Sequence, residues 1–163
     1  MGTPPFDPLT DGLTPFGVGD PVSDTTTTVV RLIALTEDAR RALGMAEVRI
    51  ARFPFSVGRE RRTAVPKVVI SVERRMKVVP PLNDTCLVEA TQRHHVSGEH
   101  FRIDFTQGKF VLTDRGSMCG TTVNGKIIGG QRRGGHTDLH DQDEIAVGDA
   151  ASQFVFEFRV DSV

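Results

Sequence analysis

The sequence contains no tryptophan and no tyrosine, and only two cysteines, Cys86 and Cys119. Without the other large aromatics, its ten phenylalanines must supply the bulk of any core. Two cysteines do not make a disulfide framework, so a reduced, cytoplasmic protein is expected. Neither charge sign dominates: 20 Lys and Arg stand against 21 Asp and Glu, a formal charge of −1. That balance gives no global attraction to nucleic acid or to a membrane surface, and neither is expected as a partner. No apolar run is long enough to span a bilayer. The first residues lack a basic segment followed by an apolar one, and Phe6 stands where a myristoylation signal needs Ser or Thr. No nucleophile–base–orienter set and no acid pair stands out, so neither an enzyme nor a cofactor is expected.

The 163 residues suit one domain with a tail. Residues 1–28 carry Pro4, Pro5, Pro8, Pro15 and Pro21 among Gly, Asp and Thr, a composition expected to stay disordered. This tail ends in Thr25, Thr26, Thr27 and Thr28, which are candidate phosphorylation sites or simply a polar linker. From residue 29 to 163 short alternating segments predominate. Val29–Leu35 is β-branched and apolar, a first strand. Thr36 to Gly44 predicts a short helix, with Thr36 as cap, acids in the first turn and Gly44 as stop. Residues 60–82 hold six cations, Arg61, Arg62, Lys67, Arg74, Arg75 and Lys77, against Glu60 and Glu73. This basic insertion of net +4 is either a solvated strand face or a positive wall beside a binding site. Asn124-Gly125 between short apolar runs predicts a type I′ hairpin, and Phe154, Phe156 and Phe158 put three rings on one strand face. The number of short strands predicts an all-β fold, a twisted antiparallel β-sandwich with a short helix inserted.

The most informative stretch runs from Val96 to Gly125. Phe101–Phe105 and Lys109–Thr113 read as a hairpin around Thr106-Gln107-Gly108. A hairpin brings its ends together, so the flanking loops, Ser97 to His100 and Arg115 to Gly120, should lie side by side. Together they can offer hydroxyls and backbone N–H groups to an anion. With Gly58-Arg59 upstream, the order Ser97…His100, Gly116-Ser117, Gly120-Thr121, Asn124-Gly125 and Leu139…Asp143…Ile145…Gly148 resembles the forkhead-associated (FHA) domain family, over about residues 29–160. The resemblance implies an FHA/SMAD-like sandwich that binds phosphothreonine peptides without catalysis, in Ser/Thr kinase signalling. The implied partner is a phosphothreonine-containing protein, such as a kinase or its substrate.

In family terms, Arg59 and Ser97 match the phosphate contacts, and Gly98, Ser117, Cys119 and Asn124 complete the peptide-binding set. Gly58, His100, Gly120 and Thr121 match residues that support it. An arginine suits phosphate because its guanidinium presents two parallel N–H groups. Two positions depart from the pattern. Cys119 stands where the family has an asparagine that bonds the ligand backbone, and Gly98 has no side chain for a second phosphate contact; Arg61, Arg62 or Arg93 could compensate. These departures keep open a phosphate-independent assembly adaptor, while the threonine-rich tail suggests autoinhibition by a phosphorylated tail folding back onto its own module. The histidines predict no metal site: His94 and His95 alternate sides if extended, and His136 and His140 fall in apparent loop and turn.

Overall fold

The computed structural model describes residues 27–59, 83–89 and 95–162. Most of the expected tail, the basic insertion and Arg93 lie outside them. Two β-sheets face each other across one core. The first is six-stranded, in the order β2-β1-β11-β10-β7-β8, and uses β1 (Thr28–Ala34), β2 (Glu47–Ile50), β7 (Thr121–Val123), β8 (Lys126–Ile128), β10 (Asp143–Val147) and β11 (Val155–Ser162). The second is five-stranded, in the order β4-β3-β5-β6-β9, and uses β3 (Phe55–Arg59), β4 (Thr85–Leu87), β5 (Phe101–Thr106), β6 (Lys109–Asp114) and β9 (Gly135–Leu139). The expected all-β sandwich is what forms. Its pairs are antiparallel except β3 with β4, which run parallel in the register Val57↔Thr85.

Alternation places the core. Val30, Leu32 and Ala34 of β1 are buried while the residues between them are not. Phe154, Phe156 and Phe158 are all buried, as their spacing predicts, and Phe158 stacks edge-on against Phe110 at a centroid distance of 5.2 Å. Fully buried aliphatics such as Ile103, Leu112 and Ile145 fill the space between the sheets. Each fully buried side chain of this size contributes roughly 1.5–3 kcal/mol relative to leaving it in water.

The inserted helix α1 (Glu37–Leu43) is set by local signals. Thr36 accepts from the Ala39 N–H at 3.1 Å, and Gly44 ends the helix in a left-handed conformation, φ 77°.

Two expectations need correction. The β5–β6 turn has two residues, Gln107 and Gly108, because Thr106 pairs with Lys109; both have positive φ, which matches the twist of the strands. Gly135 and His136, expected as loop, begin β9 along β6, since the Gly-rich approach hides a strand with no run of apolar residues. Cys86, of a residue type usually buried as a small hydrophobe, is exposed in β4.

Candidate functional site

The site forms where β3 and β5 meet the loops that precede β5 and follow β6. Its first joint is glycine-dependent. A Cβ on Gly58 would lie 2.2 Å from the Gly98 carbonyl oxygen and 2.7 Å from Asn83 Nδ2, so only hydrogen fits there. That close approach lets the Arg59 N–H donate to the Ser97 carbonyl at 2.9 Å. The Gly98 carbonyl in turn accepts from Asn83 Nδ2 at 2.8 Å. Arg59, the last residue of β3, and Ser97 are thereby adjacent, and both are half-buried.

His100 couples this loop to the next one. It is fully buried. The Ser97 N–H donates to His100 Nδ1 at 2.9 Å, so the ring proton sits on Nε2, which donates to the Gly120 carbonyl at 2.7 Å. Gly120 O also accepts from the Gly148 N–H at 2.9 Å. A protonated ring would present an N–H to another N–H at Ser97. Burial is the main cause that lowers the His100 pKa below 6.5, against the smaller upward pulls of the Gly120 carbonyl, Asp114 and Glu89. A depressed folded-state pKa means the unfolded chain binds the proton first. The stability from neutral His100 is therefore complete above about pH 6.5, the unfolded value, and is lost as pH falls from there toward the folded value. Urea unfolding between pH 8 and 5 is expected to show this decline, and His100→Gln should flatten it. A variant profile parallel to wild type would remove His100 as its source.

The loop after β6 is organised by Asp114, the last residue of that strand. Its carboxylate is buried and accepts four hydrogen bonds: from the N–H groups of Gly116 (3.1 Å) and Ser117 (2.9 Å), and from the hydroxyls of Ser117 (2.5 Å) and Thr121 (2.9 Å). The Ser117 hydroxyl also accepts from the Gly120 N–H at 2.9 Å. Ser117, expected on the ligand face, is fully buried and belongs to this knot. The residue facing Ser97 is instead Met118, half-exposed, whose N–H donates to Ser97 Oγ at 3.1 Å. Accepting that bond leaves the Ser97 hydroxyl proton to donate elsewhere. Cys119 is partly exposed beside it.

Asn124 serves a different end of the module. It sits at φ 48° in the β7–β8 turn; its side chain donates to Asp143 at 2.7 Å and accepts from the Glu144 N–H at 2.9 Å. It is thus a support of the turn, about four residues along the sheet from Gly120, on the order of 13 Å. Glu99, which would place a negative charge next to a phosphate, is paired with Arg115 Nη2 at 2.6 Å. Arg115 Nη1 also reaches Asn83 Oδ1 at 3.2 Å.

Register also locates Thr28. Ala34, Phe156, Ile145 and Val123 align across the first sheet. Thr28 lies six residues from that line in one direction and Gly120 three in the other, about 30 Å apart along the strands. Thr25 and Thr26 lie outside the described residues. His136 lies in β9, and His140 follows the end of that strand. Among the described residues no three His, Cys, Asp or Glu side chains gather in a metal-holding group. Among them, too, no helix is long and apolar enough to cross a membrane.

A Gly-Arg strand end, a Ser-x-x-His loop and an Asp-anchored loop, clamped by one buried histidine, coincide with a family model. Residues 55–148 match the FHA domain, more than half of the chain. The chain belongs to the FHA domain family. Similar solved structures include the N-terminal FHA domain of Saccharomyces cerevisiae Rad53p, solved in complex with a phosphothreonine peptide, at 17% identity and a TM-score of 0.50, over 83% of this chain and 94% of that one. The yeast Pml1 splicing factor matches at 17% identity and a TM-score of 0.53, over 83% and 82%. The chain also aligns with 25% of the longer Mycobacterium tuberculosis EmbR, at 17% identity and a TM-score of 0.49. No curated protein gives a significant match.

Proposed function

We propose that this FHA domain binds phosphothreonine peptides in Ser/Thr kinase signalling, in the cytoplasm and without catalysis, and that Arg59 and Ser97 hold the phosphate. The observation that carries this reading is the junction between them. The Arg59 N–H bonds the Ser97 carbonyl, and the Ser97 hydroxyl accepts from Met118 N–H. A cation and a hydroxyl with a proton to give are thus held side by side on a backbone frame clamped by His100 and Asp114. A phosphothreonine brings close to two negative charges and several acceptor oxygens to such a pair. Gly98 and Cys119 lie at the same mouth. Gly98 contributes close backbone approach rather than a side chain, and Cys119 is a weak donor and acceptor in the place of an amide. Pairing Glu99 with Arg115 removes one repulsion from the mouth.

The test is titration with a degenerate phosphothreonine peptide library beside its unphosphorylated twin. Micromolar binding confined to the phosphorylated set is expected. Equal binding of both sets, unaffected by free phosphate, would instead identify a phosphate-independent adaptor.

A further inference from the structure

The segment between β8 and β9 carries Gly129, Gly130, Gly134 and Gly135 around Gln131, Arg132 and Arg133. Such composition ordinarily marks a floppy connection. Here it is fixed to the binding loop: the Gln131 N–H donates to the Met118 carbonyl at 2.8 Å and the Arg132 N–H to the Ser117 carbonyl at 3.0 Å. The Arg133 N–H closes the turn onto Gly130 O at 3.0 Å. Gln131 and Arg132 occupy its two central positions at φ 52° and 63°, the left-handed region of a type I′ turn. Glycine takes both positions without steric cost, whereas arginine does not. A long cation is thus kept, at a conformational cost, at a place flanked by glycines. Backbone strain at such a position points toward use rather than economy.

Distance ties this turn to the phosphate mouth. One peptide unit, Ser117–Met118, gives its N–H to Ser97 Oγ at 3.1 Å and takes the Arg132 N–H on its carbonyl at 3.0 Å. With standard bond lengths across that unit, the Arg132 nitrogen lies within about 8 Å of Ser97 Oγ, and an extended arginine side chain spans about 7 Å. Arg132 is exposed. Its neighbour Arg133 donates to the Gln131 side chain, and the nearby acid Glu99 is held by Arg115.

We propose that Arg132 is a specificity-determining residue that pairs with an acidic side chain next to the phosphothreonine of the ligand, an assignment that rests on the phosphopeptide reading above. Met118, half-exposed between Ser97 and the turn, would lie under the peptide as it passes from one to the other. An exposed ion pair is weak and screened by salt, so the effect is a bias among ligands rather than the source of binding.

The experiment uses the full chain and phosphothreonine peptides flanked by alanine or by aspartate, with aspartates placed before, after or on both sides. At low ionic strength at least one aspartate arrangement is expected to bind about two- to fivefold more tightly than the alanine-flanked peptide. That ratio should fall toward one in half-molar salt. Arg132→Gly keeps the turn, since glycine accepts its backbone angles, and should bring the ratio to about one without weakening the alanine-flanked peptide. Arg133→Ala should leave the ratio in place. A ratio that survives Arg132→Gly, or one that depends on Arg133 instead, overturns the assignment. Equal binding of all phosphopeptides by wild type defeats the assignment alone, whereas absence of phosphopeptide binding altogether defeats the underlying reading and the assignment with it.

Discussion

Asp114→Ala is expected to destabilise the domain by about 3–5 kcal/mol, the range for breaking a buried charged network. The substitution leaves two N–H groups and two hydroxyls, of Gly116, Ser117 and Thr121, without their acceptor. Ser117 and Thr121 are fully buried, so water cannot readily replace it. Hydrogen bonds to a charged group contribute roughly 1.5–3 kcal/mol each, but four on one carboxylate are not additive. Against a typical domain stability of about 5–15 kcal/mol, the loss is a large fraction of the whole. Asp114→Asn is a useful companion. Its amide oxygen can still accept from the two N–H groups, and the two hydroxyls can turn to accept from its NH₂. It should therefore cost about half as much or less. Urea midpoints of the two variants and wild type decide the matter. An alanine variant within about 1 kcal/mol of wild type would mean that the loop is not held by this carboxylate.

The contrast between what the sequence discloses and what it hides follows from where the information is stored. Alternation and turn chemistry are local, so β1, α1, the β7–β8 hairpin and the Phe154, Phe156, Phe158 face are legible from a few residues each. The order of Gly58-Arg59, Ser97 and His100 is legible as a motif. What Gly58 is for becomes visible only when the Gly98 carbonyl stands 2.2 Å from its missing Cβ. A serine in a glycine loop reads as a surface donor, whereas Ser117 turns inward to Asp114. A local signal for this did exist: Asp followed at two and three residues by Gly and Ser is the pattern of a side chain capping its own loop. No comparable signal marks Arg132, since non-glycine residues in a left-handed turn look like any loop residues until the backbone is traced. Asn83 and Met118 are likewise defined by partners 15 and 21 residues away.

Arg59→Ala is expected to abolish measurable phosphopeptide binding, weakening it by at least about a hundredfold, because charge-assisted pairs to phosphate are the strong ones. Two parallel N–H···O contacts at roughly 1.5–3 kcal/mol each would be lost, while Ser97, the other proposed phosphate contact, is neutral. The fold should survive. Arg59 is joined to the Ser97 loop through its backbone N–H, which alanine retains, and its side chain is not part of the core. A urea midpoint near that of wild type would establish that the lost affinity is not lost structure. Arg59→Lys separates charge from geometry: lysine keeps the positive charge but offers a point donor in place of a planar fork, so affinity should fall between the other two. If the lysine variant matches wild type, general electrostatic attraction is enough and the fork has no role. If the alanine variant also matches wild type, phosphate is not read at Arg59, and the contact that selects the partner lies elsewhere on the module.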